Sequence, residues 1–103
     1  MRVYWSDEAS RRLRDITSYI AKDSPAAAQE VARRLLMYSR TLAVEGPPLL
    51  GRRLPEYPDT ELCELLKRPY RLIFERTARG VEIVTVMHYR QLLPADPSEL
   101  RGI

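Results

Sequence analysis

The stretch Glu61–Leu93, ELCELLKRPYRLIFERTARGVEIVTVMHYRQLL, limits what this chain can fold into more than any other. It holds three runs rich in Leu, Ile, Val, Tyr or Phe, parted by short breaks at Arg68-Pro69 and Ala78-Arg79-Gly80. Runs of this kind are strands, and breaks this short join only neighbours that run in opposite directions. The expectation is three consecutive antiparallel strands at about 62–67, 70–76 and 81–88. In the middle run Tyr70, Leu72 and Phe74 point to one face and Arg71, Ile73 and Glu75 to the other. The last run is apolar on both faces through Val84 and Val86, the pattern of a strand covered on both sides. The first half of the chain is the only candidate for that cover.

The first half reads as helical. Met1–Trp5 is a short strand at a sheet edge, with Val3 and Trp5 on one side. Ser6 then serves as an N-cap, followed by Asp7 and Glu8 where the helix dipole favours acids. Ala9, Leu13, Ile16 and Ile20 share one helical face. Lys22-Asp23-Ser24-Pro25 ends this helix and starts the next, with Ser24 as N-cap and Pro25 at the first helical position. Ala28, Val31, Leu35, Tyr38 and Leu42 form the second stripe, and Gly46-Pro47-Pro48 stops it. Two amphipathic helices so closely joined make an antiparallel hairpin over 7–45, whose apolar stripes pack on one face of the sheet. The fold class is therefore α+β: a short N-terminal strand and an α-helical hairpin packed on a C-terminal antiparallel sheet.

Residues 49–60 carry Gly51, Pro55 and Pro58 and read as an ordered loop feeding the sheet. The tail 94–103 has two Pro and little to bury, and is expected to fray or to be ordered only by a partner. All 103 residues form one domain. The single Cys63 has no partner for an internal disulfide, which suits a reducing compartment. No apolar run reaches the length of a membrane span, so a soluble cytoplasmic protein is expected. Seventeen Lys and Arg against fourteen Asp and Glu leave a formal charge of +3, a modest pull toward acidic partners.

The sequence contains no Gly-rich phosphate loop, no HExxH and no CxxC, and one Cys with one His does not make a typical zinc site unless carboxylates contribute. No metal and no cofactor is expected. The sharpest cluster is His88, Tyr89 and Arg90 at the end of the last strand. His moves protons near neutral pH, Tyr donates or stacks, and Arg holds a phosphate. The plainer account is the weightier one on residues alone: a strand-end histidine bonded to backbone beside a solvated arginine. Arg71, in mid-sheet among apolar neighbours, needs either a ligand anion or a carboxylate, for which Glu64 or Glu82 on the flanking strands is placed. Tyr70 and Trp5 read as core residues, Cys63 as a small buried one, and Arg52-Arg53 as a solvated pair.

Three stretches, in order, resemble the RelE/ParE family of toxins from bacterial type II toxin–antitoxin systems, the ParE branch in particular. Trp5-Ser6, then Ala9…Leu13…Ile16…Tyr19-Ile20-Ala21 and Ser24-Pro25-Ala26-Ala27-Ala28, are similar to the family's N-terminal signature. Gly51-Arg52 with Leu54-Pro55-Glu56 resembles its central loop. Glu64-Leu65…Pro69-Tyr70-Arg71-Leu72-Ile73-Phe74 and Val81-Glu82-Ile83…Val86…His88…Arg90 resemble its C-terminal block. The likeness covers residues 3–93. The departures are Cys63 where Arg is frequent, Arg68 for Gly, Phe74 for Tyr, and Gln91 for a second basic residue.

The resemblance implies a helical hairpin on a twisted antiparallel sheet, and a toxin neutralised by a cognate ParD-like antitoxin. Its ParE branch implies inhibition of DNA gyrase without enzymatic chemistry; the alternative is a ribosome-dependent mRNA endonuclease of the RelE type. In that alternative Arg71, His88 and Tyr89 would carry catalysis. Either target would be met by Arg71, His88 and Arg90. Lys67 is the one lysine of the sheet, a thinner basic set than the nuclease branch offers. An acidic antitoxin segment that orders on binding is expected beside the hairpin, near Arg11, Arg12, Arg33 and Arg34, and along the sheet edge.

Overall fold

A computed structural model describes residues 2–44 and 51–102. The element order is strand β1 (Val3–Trp5), helix α1 (Asp7–Ala21), helix α2 (Pro25–Val44), strands β2 (Arg52–Arg53), β3 (Cys63–Lys67), β4 (Tyr70–Thr77) and β5 (Gly80–His88), and a 3-10 helix (Pro97–Arg101). Both helix starts follow the capping chemistry of the sequence. The Ser6 hydroxyl oxygen accepts from the Ala9 N–H at 3.0 Å and that of Ser24 from the Ala27 N–H at 3.1 Å. The expected stop at Gly46-Pro47-Pro48 lies outside the described residues, as does the start of the loop at 49–50.

The sheet has five strands in the order β1-β5-β4-β3-β2. β3, β4 and β5 pair antiparallel as expected, and β1 lies at the edge, parallel to β5. That register sets Val3 beside Val81 and Trp5 beside Ile83, so the apolar residues of both strands face the helices. The Trp5 indole N–H reaches Ser39 Oγ at 3.2 Å. β2, two residues long and paired to β3, falls where the sequence predicts a loop: a strand that short has no period to detect. Gly51 precedes it with φ 77°, and a Cβ there would fall against the Glu64 carbonyl and the Phe74 ring. Only glycine fits such a position without strain.

The helices cover one face. Ala9, Leu35 and Leu42 pack with Cys63, Leu72, Phe74, Val81, Ile83 and Val86, and Leu13, Ile16, Val31 and Tyr38 close the margin. Burial pushes the Cys63 thiol up, as for an inert core cysteine. A bulge lies in β5: Ile73 faces Thr85 and Phe74 faces Ile83, leaving Val84 without an opposite. The extra residue lets Ile83 and Val86 share the helix face while Val84 enters the other core.

That second core corrects the expectation that the first half of the chain alone provides the cover. Leu54, Tyr57 and Leu62 from the loop, with Leu100 from the tail, bury Ile73, Val84 and Met87 on the far face. The tail does have something to bury. Asp96 caps the 3-10 helix by accepting from the Ser98 N–H at 3.0 Å, Leu100 is 5 % exposed, and Arg101 pairs with Glu75 and with Glu82. Glu82 is thus taken by Arg101 and is not the partner of Arg71. The Tyr57 hydroxyl donates to the Pro94 carbonyl and ties the loop to the start of the tail. Among the described residues, no helix is long and apolar enough to cross a membrane.

Candidate functional site

Strand register brings the sequence cluster together at one end of the sheet. Lys67 ends β3 opposite Tyr70, and Tyr70 starts β4 opposite His88. A tight turn with a cis Arg68–Pro69 bond joins β3 to β4, and the Pro69 carbonyl accepts the Tyr89 N–H at 2.8 Å. Two loops distant in sequence are thereby fixed side by side.

The rings form a connected platform. His88 stacks on Tyr89 with centroids 4.9 Å apart and planes at 24°, and meets Tyr70 edge-on at 6.2 Å. The Arg68 and Arg90 guanidinium groups each lie 5.4 Å from the Tyr89 centroid, and Lys67 Nζ lies 4.9 Å from that of Tyr38 on α2. Arg90 Nε donates to the Tyr89 hydroxyl at 3.0 Å. The Arg90 backbone N–H donates to His88 Nδ1 at 3.1 Å, which assigns the imidazole proton to Nε2 in the neutral ring. The backbone bond expected for a strand-end histidine is therefore present, and the His88 N–H is held by Gln91 Oε1 at 2.9 Å. Burial pushes the Tyr70 phenol up, keeping it a neutral hydroxyl.

This end also carries charge without ion pairs. Among the described residues, Lys67, Arg68 and Arg90 have no carboxylate within ion-pair distance. Sequence reasoning does not single out Lys67, Arg68 and Tyr38 as binding residues. A signal for Arg68 exists: pairing of Tyr70 with His88 brings the Arg68-Pro69 turn beside Tyr89.

Arg71 is elsewhere. It points to the far face, where Nε donates to Glu64 Oε1 at 2.9 Å and Nη2 to Glu56 Oε2 at 3.1 Å. Arg52 adds a bond to the second Glu64 oxygen at 3.0 Å, so the pair Arg52-Arg53 is only partly a solvated one. The structure brings together His88, Tyr89 and Arg90; it does not bring Arg71 to them.

The four hairpin arginines also have partners. Arg11 bridges Glu8 and Asp15, Arg12 lies 3.7 Å from Glu8, and Arg33 and Arg34 both hold Glu30 at 2.7 and 2.8 Å. Hydrogen bonds from Arg33 and Arg34 hold the Glu30 carboxyl down at about 2. Arg12 lines a groove of about 380 Å³ between α1 and the sheet, with Ile16, Tyr19 and Ile20 on one wall and Tyr70, Val86 and His88 on the other. Arg34 lines a smaller recess of about 80 Å³ between α2 and the β3–β4 turn.

The family model of the ParE toxin of the type II toxin–antitoxin system, parDE, matches residues 3–93. A Sinorhizobium fredii (strain NBRC 101917 / NGR234) protein named "Putative toxin Y4kP" is 39 % identical over 95 residues, 90 % of this chain and 93 % of that protein. A solved structure titled "Chromosomal ParDE TA system from P. aeruginosa" superposes with a TM-score of 0.73 over 85 % of this chain and 95 % of its own, at 21 % identity, and so shares the fold. The hairpin-on-sheet architecture and the match over nearly the whole chain agree: this protein is a toxin of the ParE family of type II toxin–antitoxin systems.

Proposed function

We propose that this toxin acts in the cytoplasm by binding DNA gyrase, without bond-breaking chemistry of its own, and that a ParD-like antitoxin neutralises it. One observation carries the choice. A nuclease built on Arg71, His88 and Tyr89 needs the three within reach of one phosphate, but Arg71 lies on the opposite face with its charge met by Glu64 and Glu56. What remains beside His88 is a platform of rings and free cations, suited to holding an anionic surface. The target would be met by His88 and Arg90, with Lys67 and Arg68 beside them. The antitoxin would lie beside the hairpin, its carboxylates competing with Glu8 for Arg12 and the neighbouring Arg11 at the groove between α1 and the sheet, and with Glu30 for Arg34 and the neighbouring Arg33 at the recess beside α2.

A second reading, cleavage of mRNA on the ribosome, draws on the same platform, because stacked rings with flanking cations also suit RNA bases. Purified toxin assayed with gyrase, DNA and ATP, and separately with translating ribosomes, separates the two. Blocked supercoiling or trapped cleaved DNA with intact mRNA is expected; codon-phased mRNA cuts with unaffected gyrase would reverse the assignment. His88→Ala should weaken gyrase inhibition by no more than the loss of one contact, about tenfold, with Arg90 still in place, whereas a nuclease using His88 as acid or base would lose about two to four orders of magnitude. Expression of the toxin alone should arrest growth, and co-expression of the antitoxin should restore it.

A further inference from the structure

The cations at the opposite end of the sheet form a second cluster. Arg2 precedes β1, and Arg76 and Arg79 flank the turn from β4 to β5. All three are exposed, and among the described residues none has a carboxylate within ion-pair distance, although eight other arginines do. They line one shallow concavity of about 380 Å³ with Thr77, Ala78 and Gly80.

Two of the arginines are held in place. The Arg2 and Arg79 guanidinium groups lie 5.6 and 4.8 Å from the centroid of the Tyr4 ring. That ring is itself fixed, its hydroxyl 2.5 Å from Thr77 Oγ1, which also accepts the Arg79 N–H at 3.1 Å. Gly80 closes the arrangement: its φ is 130°, and a Cβ there would fall on the Arg2 carbonyl. The neighbouring groove contains acids, but Glu8 and Glu82 are engaged by Arg11, Arg12 and Arg101, leaving Asp7 as its one carboxylate outside an ion pair.

We propose that this turn is a binding surface for the phosphate backbone of nucleic acid, distinct from the His88 platform. Planar guanidinium groups pre-positioned on a ring suit the oxygens of phosphates. A duplex presents a charge about every 1.7 Å of its axis, so neighbouring phosphates are available to several arginines at once. Among the described residues the concavity is lined by no large apolar side chain, which an acidic protein segment would need as an anchor. Binding is read by charge and not by base sequence.

The test needs no gyrase, so its outcome is separate from that of the gyrase reading. Binding of the full chain to a fluorescein-labelled DNA duplex is measured by anisotropy across a salt series. Arg2→Gln/Arg76→Gln/Arg79→Gln should weaken binding at least about tenfold and lower the slope of log affinity against log salt by about 2.7, at about 0.9 for each phosphate no longer neutralised. Arg14→Gln/Lys22→Gln/Arg40→Gln removes the same charge from hairpin cations that also lack ion pairs among the described residues, and should keep most of the affinity. Titrating DNA into the isotope-labelled unmodified protein should shift the amides of residues 76–80, independently of how any variant folds. An equal loss in the hairpin control, an unchanged turn variant, or shifts confined to 67–70 and 88–90 would overturn the proposal. So would poly-glutamate of matched length binding the turn more tightly than DNA.

Discussion

Arg71 carries the most consequential side chain of the far face. It is 7 % exposed and Glu64 3 % exposed, and each satisfies the other in a largely dry setting. When one member is removed Glu64 keeps Arg52 and Arg71 keeps Glu56, so Arg71→Ala or Glu64→Gln should cost about 1–3 kcal/mol in urea unfolding, the loss of a buried charged hydrogen bond. Arg71→Met with Glu64→Leu removes both charges and should recover most of that loss; persistence of the full cost would show that packing, not charge, governs the site. Glu30 sets a contrast on the helix surface. Its folded pKa of about 2 lies below the ordinary 4.5, so its contribution is present above pH 4.5 and fades as pH falls through about 2. A carboxyl titration followed by NMR should place Glu30 near 2, and Arg33→Gln/Arg34→Gln should return it toward 4.5.

At the scale of elements, the parts legible in the sequence are those whose order is written locally. The two helices follow from 3.6-residue spacing between capping serines, and β3 to β5 follow from apolar runs around short turns. Leu35, 2 % exposed on the buried stripe of α2, is expected to cost about 2–5 kcal/mol as Leu35→Ala. Elements that tertiary contact alone creates leave no such local mark. β2 is defined by β3 and the bulge at Val84 by its pairing with β4; the 3-10 helix does carry a local mark, the Asp96 cap followed by Pro97, and tertiary contact adds the hollow that receives Leu100. The candidate site divides the same way. His88, Tyr89 and Arg90 are adjacent in sequence and legible as a cluster; Arg68 reaches Tyr89, and Lys67 reaches Tyr38, only through strand and helix packing. Arg71 is readable as a residue needing a carboxylate, yet Glu56 lies in a loop without period. If the tail is a structural cover, Leu100→Ala should lower stability by about 2 kcal/mol and raise the hydrogen exchange of β4 and β5 amides together.

Across the whole molecule, contacts between residues far apart in sequence bind one side of the sheet. The Ser6 hydroxyl donates to the Val84 carbonyl at 2.7 Å across 78 positions, β1 completes the sheet beside β5, and Arg101 clasps Glu75 and Glu82. Space thereby becomes a matter of time. During synthesis the hairpin can form early, but its sheet is incomplete until residue 88 has emerged, and the cover of the far face is incomplete until residue 101 follows. Folding that waits on such distant partners is slow, in the millisecond-to-second range for topologies rich in non-local pairs. Trp5, the sole tryptophan, sits at the closing seam and should report that step in stopped-flow refolding as a late change in fluorescence. The first strand made, β1, therefore waits for β5 before it has a partner, and the seam is closed by segments that emerge long after the hairpin.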